Sequence, residues 1–154
     1  MNKFIDISDR ENLNLLLSAL KPDTPRLWGT MTAHDMIEHL IDVVAYTNGR
    51  KTTEMDFSEE ESNRRKLVSV YGDAEMPRGI KGPDSEEEKT QLYPDLQTAI
   101  IGLNKELDDF ESYYKEKGRT AIHPAFGAMN YKEWLMMHGK HFTHHFKQFG
   151  IAGL

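Results

Sequence analysis

Cysteine is absent from this chain. Its absence removes disulfides, thiolate metal ligands and cysteine nucleophiles together, so any metal must be held by histidine, carboxylate or water. Long apolar runs are missing as well. The longest are short, such as 100–103, far below the roughly 20 residues that a membrane-spanning helix needs. Positive charge is in deficit, with a net charge of −6, which argues against a nucleic-acid partner and the basic patch it would require. No G-x-S-x-G elbow presents a serine nucleophile, and no strand pattern precedes a Gly-rich phosphate loop. The N-terminal M-N-K-F-I-D-I-S-D sets acids inside its only apolar stretch and offers no small-residue cleavage site, unlike a signal peptide. The expectation is a cytoplasmic protein with no membrane and no nucleic-acid partner.

What is abundant is helix signal and histidine. The 154 residues are 38% hydrophobic and 29% charged, enough for one globular domain spanning 1–154 with a real core. Of the seven histidines, four fall within Asn130–Gly150. That stretch reads as a single helix, with Asn130 and Glu133 spaced as a cap and its reciprocal partner and Gly150 as a left-handed stop. Leu135, Phe142, Phe146 and Phe149 share one side of the helical wheel, and Lys132, Lys140, Thr143 and Lys147 share the other. One face should be buried and one wet.

Three more helices follow from caps and periodicity. Ser8 and Glu11 make a capping box ahead of a leucine-rich helix over 9–20. Thr32 and Asp35 open a second, running to about Tyr46, with Met36, Ile37, Leu40, Val43 and Val44 as its stripe. Leu96, Ile100, Leu103, Leu107, Phe110 and Tyr114, spaced 4, 3, 4, 3, 4, mark a third, with Pro94 in its first turn. The acids-then-bases order over 58–71 favours an additional short helix, and 72–84 reads as a long loop, either functional or a plain crossover. Ser85–Glu88 reads as a solvated helix start. The economical arrangement is all-α, an up-down four-helix bundle with an extra short helix and a long crossover.

The histidines suggest chemistry. His141 and His145 lie one turn apart at the edge of the apolar stripe, the spacing by which two neutral imidazoles grip one divalent metal. Such pairs also arise by chance, and a border histidine is commonly just hydrogen-bonded. His39 on the second helix has the same peculiarity, at the border of the core and flanked by Asp35 and Asp42. Bundle cores are where facing helices build metal sites, and His39, His141 and His145 together would give three nitrogen ligands with an open position, the catalytic pattern. Such ligands suit Zn, Ni, Fe or Co. Asp35, Glu38, Asp42 and Gln148 are candidates to hold the outer N–H of a ligating imidazole. His138 is expected beside the site or lining its pocket, His144 at the surface or an interface, and His34 in solvent. His123, before its proline in a loop, is expected in a structural role ahead of one at a pocket edge. Trp28 is expected to plug the core.

W-G at 28–29, M-I-E-H-L at 36–40, H-P-A-F-G at 123–127 and E-W-L…H-F-T-H-H-F-K-Q-F-G at 133–150 together resemble the DinB-like (DinB/YfiT) superfamily. More narrowly, they resemble its branch with the pattern W-G…H-P-x-F-G…H-x-x-H-H-x-x-Q-F-G. The resemblance implies a four-helix bundle, often dimeric, with a three-histidine metal site that falls here on His39, His141 and His145. It also implies transferase, isomerase or hydrolase chemistry on a small-molecule substrate, in some relatives with a low-molecular-weight thiol. The leading expectation is a metal-dependent enzyme that activates water or such a thiol. The rival is a non-enzymatic module in which the metal is structural or vestigial and the bundle binds a ligand.

Overall fold

The computed structural model describes residues 3–78 and 91–152. The end of the long loop (79–84) and the acidic stretch 85–88 lie outside the described residues. Among those described, five helices, α1 (Arg10–Leu17), α2 (Ala33–Ala45), α3 (Glu59–Ser69), α4 (Leu96–Tyr113) and α5 (Tyr131–Gln148), accompany one small hairpin of β1 (Ala121–His123) and β2 (Gly127–Met129).

The helix starts follow local chemistry. Thr32 and Asp35 form the expected capping box, as do Asn130 and Glu133. At α1 the cap is one residue later than expected: Asp9 accepts from the Asn12 N–H, while Ser8 turns to Asp6. This helix ends at Leu17, short of Leu20. At α4 Pro94 stays outside the helix and Asp95 is the cap, accepting from the Thr98 N–H at 2.7 Å. The hairpin was not expected. It is antiparallel, pairing Ala121 with Met129 and His123 with Gly127, and it folds the H-P-A-F-G segment back beneath the start of α5.

Helix directions follow from pairwise contacts. Arg10 reaches Asn104 and Asp108, while Asn14 reaches Asn104, so α1 runs against α4. Gln91, ahead of α4, bonds Asp35 at the start of α2, whereas Asn48, past its end, bonds Glu106. Thus α2 and α4 run together, with α3 in the long connection between them. His39 meets His141 and His145, and Thr47 meets His138, so α5 runs against α2.

These four helices share one hydrophobic cluster, including Leu13 and Leu17 of α1, Met36 and Leu40 of α2, Leu103 and Phe110 of α4, and Phe142 and Phe146 of α5. Each such side chain, fully buried, stabilises the fold by about 1.5–3 kcal/mol. Val43 and Leu135, expected in the buried stripes, are half-buried.

The face of α5 expected to be wet is covered in its middle, while Lys132 is exposed and Lys147 partly so. Lys140 and Thr143 are buried. Lys140 Nζ donates to the Ser69 carbonyl at 2.8 Å and to that of Gly72, which supplies donors where the end of α3 leaves carbonyls without helical partners. Thr143 Oγ1 accepts the Ile5 N–H at 2.8 Å. The N-terminal strand of chain crosses so close at Gly139 that a Cβ there would stand 2.6 Å from the Ile5 carbonyl oxygen. Helix α5 is thereby enclosed on both sides.

Candidate metal centre

The capping boxes of α2 and α5 fix where each helix begins, and the antiparallel packing brings the middle of one beside the last turns of the other. His39 Nε2 lies 3.1 Å from His141 Nε2, and His145 Nε2 lies 2.9 Å from the same atom. The candidate ligand atoms of all three lie within 4.8 Å of one another. The rings stand nearly upright to each other, with interplanar angles of 83°, 73° and 71°. Three imidazole edges therefore turn their nitrogens to one point.

Burial differs across the trio. His141 and His145 are 9% and 7% exposed, while His39 is half-buried, so the cluster meets solvent from the α2 side. Burial holds His145 down to about 3, reinforced by the neighbouring His39, with the Gln148 hydrogen bond pulling the other way. Burial likewise holds His141 well below the ordinary imidazole range, and the surrounding His145, His39, His138 and His144 add to it. Both rings are neutral at physiological pH, the form in which imidazole offers a lone pair.

The donor set fits a divalent cation. Nitrogens bound at about 2.1 Å, at angles of about 90–110°, sit roughly 2.9–3.4 Å apart, and the separations of 2.9 and 3.1 Å from His141 Nε2 match.

The four expected supporting residues divide. Gln148 Oε1 lies 2.8 Å from His145 Nδ1. Asp35 serves the α2 capping box and Gln91, and Asp42 pairs with Lys51. Glu38 accepts the Leu92 N–H at 2.7 Å and lies 2.6 Å from His34 Nε2. His34 is thus sheltered beside a carboxylate and not in solvent.

The remaining histidines fall elsewhere. His138 is fully buried among Phe110, Trp134 and Phe142, and its Nε2 lies 2.9 Å from Thr47 Oγ1. It belongs to the aromatic core. His123 accepts the Ala125 N–H on Nδ1 and stacks on Phe126, a structural role as expected. His144 is half-buried between the Trp28 and His145 rings. Trp28 does not plug the core. It is half-buried, with the Arg78 guanidinium 3.8 Å from its ring centre. Met76 and Arg78 of the long loop border a hollow of about 50 Å³ with Trp28 and His144. A larger hollow of about 420 Å³ is bordered by Asn48, Arg50 and Arg119. None of His39, His141 and His145 lines either one.

Sequence reasoning found the trio but missed Thr47 as the partner of His138. The only local hint was a threonine directly after the C-terminal end of an apolar helix. No helix among the described residues is long and apolar enough to cross a membrane.

No curated protein and no solved structure matches the chain. A family match covers residues 27–151, a span that contains all three converging histidines, the W-G turn, the hairpin and Gln148. The chain belongs to the family described as protein of unknown function (DUF1569).

Proposed function

We propose that the protein is a metal-dependent enzyme of DinB-like type, in which His39, His141 and His145 hold one divalent cation, with zinc, nickel and iron the best matches to an all-imidazole set. The observation that carries this reading is the convergence of three Nε2 atoms from two helices, at 2.9 and 3.1 Å. Two of the imidazoles are kept neutral by burial. On this reading α1, α2, α4 and α5 form the four-helix bundle of that superfamily, the connection through α3 being its crossover, and a homodimer is its expected assembly.

A divalent cation with a free position supplies Lewis acidity, which makes water or a low-molecular-weight thiol a competent nucleophile near neutral pH. The chain's own part is to bind and orient. His141 and His145 are fixed one turn apart by α5, and His39 closes the set from α2. The half-exposure of His39 leaves an approach from solvent for a small electrophilic substrate, in a transferase or hydrolase reaction.

The test is elemental analysis of freshly purified protein, then the same on His39→Ala, His141→Ala and His145→Ala. Each variant should lose the metal and keep its helical circular dichroism. Full metal occupancy in all three overturns the assignment. Chelation separates the enzymatic reading from a structural or vestigial metal: a melting point that hardly moves supports an open reactive centre, while unfolding marks the metal as structural.

A further inference from the structure

A neutral imidazole has one N–H and one lone pair, and only the nitrogen with the lone pair can ligate. Which nitrogen that is depends on the other nitrogen's partner. At His145 the partner is the Gln148 side chain, with Oε1 2.8 Å from Nδ1. The far end of the same amide donates from Nε2 to the Trp28 carbonyl at 2.9 Å. A carbonyl oxygen only accepts, so the amide must turn its NH₂ to Trp28 and its oxygen to His145. An amide oxygen also only accepts. Nδ1 of His145 therefore carries the hydrogen, and Nε2, facing His141, keeps the lone pair.

The Trp28–Gly29 turn is shaped around this amide. The Leu27 N–H donates to the Gln148 main-chain carbonyl at 2.7 Å, and Arg26 Nε donates to the Gly29 carbonyl at 2.9 Å. Gly29 has φ +81°, and a Cβ at that position would stand 2.6 Å from Gln148 Nε2. A side chain there would need a left-handed backbone and would strike the amide nitrogen. Residues about 120 positions apart are thus joined through a single side chain.

We propose that Gln148 is a positioning residue that commits His145 to its Nδ1–H tautomer, and that the Trp28–Gly29 turn holds the amide in the required orientation. This rests on the metal-centre reading above, and it makes the W-G turn a determinant of metal affinity from outside the imidazole trio.

The experiment pairs two measurements on the full chain: ¹⁵N NMR of the imidazole nitrogens without metal, and a zinc titration. Wild-type His145 should show the Nδ1–H form. Gln148→Leu should shift His145 to a mixture of tautomers and weaken zinc binding roughly 10–100-fold. Gln148→Glu still offers an acceptor to Nδ1 but loses the donor to the Trp28 carbonyl, so its Nδ1–H population and zinc affinity should fall between those of wild type and Gln148→Leu. Gly29→Ala, which displaces the amide, should weaken zinc in the same direction as Gln148→Leu. Unchanged tautomer and affinity in Gln148→Leu overturn the proposal. So does a wild-type His145 found in the Nε2–H form, which carries the test if the leucine variant fails to fold. Wild-type protein that takes up no zinc overturns the metal-centre reading instead, and the tautomer measurement still decides the role of Gln148.

Discussion

Two buried histidine sites lie one turn apart on α5, and their surroundings differ. His138 and His141 are both enclosed, and burial lowers the proton affinity of both. Their Nε2 atoms meet different neighbours. That of His138 meets a hydroxyl whose own hydrogen goes to the Val44 carbonyl at 2.8 Å, so the imidazole donates to Thr47 and its Nδ1 is left with no partner among the described residues. That of His141 meets two more imidazole nitrogens. Burial and helical position are nearly the same at the two sites, so neither one marks a metal ligand. What distinguishes His141 is that an imidazole nitrogen from a second helix, His39 Nε2, is aimed at the same point.

The widest separation between the two sites should come from truncation. His138→Ala removes a fully buried ring from among three aromatic side chains, and by analogy with Phe-to-Ala changes it should cost about 3 kcal/mol of stability. Metal stoichiometry should stay at the wild-type value. His141→Ala should do the reverse, abolishing metal uptake. Urea unfolding combined with elemental analysis on the two variants reads both effects. Loss of metal in His138→Ala while the variant remains folded would merge the two sites into one.

A smaller difference should appear in acid. His138 is held down to about 3 by burial, against an ordinary value of 6.5. Between those limits the unfolded chain binds a proton that the folded chain refuses. Stability is complete above pH 6.5 and falls as pH falls, by up to about 1.4 kcal/mol per pH unit for this one group, until the folded-state value is reached. His123, lowered to about 4 by burial against the opposing charge of Asp56, contributes with the same sign. In metal-free protein, His138→Phe should reduce the slope of stability against pH by about one proton between pH 6 and 4. An unaltered slope would mean that the folded chain binds a proton at His138 as readily as the unfolded chain does.

How much of this was readable beforehand depends on range along the chain. The capping boxes of α2 and α5 each lie within four residues, and both were legible. The trio was legible because the helical wheel puts His39, His141 and His145 at the borders of two apolar stripes, and two stripes must face each other. The hairpin escaped notice because three-residue strands are too short to show a period of two. Lys140 and Thr143 were assigned to water because their partners, the end of α3 and Ile5, lie about 70 and 138 residues away. A wheel reports which side of a helix a residue occupies, not what the rest of the chain lays over that side. Trp28 was misjudged for the same reason: the covering group is Arg78, in a loop whose course no local pattern sets.

The finest test of the contrast concerns the hydroxyl that pairs with His138 and has no counterpart at His141. Thr47→Val leaves the His138 Nε2–H without an acceptor, and a buried unpaired donor costs about 1–3 kcal/mol. His138→Phe alone strands the Thr47 oxygen's acceptor site, a milder loss because that hydroxyl still donates to Val44. The double variant removes donor and acceptor together, and replacing both partners by apolar groups is nearly neutral. The two changes should therefore be less than additive, with a coupling energy of about 1 kcal/mol in a double-mutant cycle followed by urea unfolding. The same cycle run on zinc affinity should give no coupling, since neither side chain touches the three converging nitrogens. Additivity in stability would mean that the Thr47–His138 bond contributes nothing net. Coupling in zinc affinity would mean that the core histidine and the metal centre act as one unit after all.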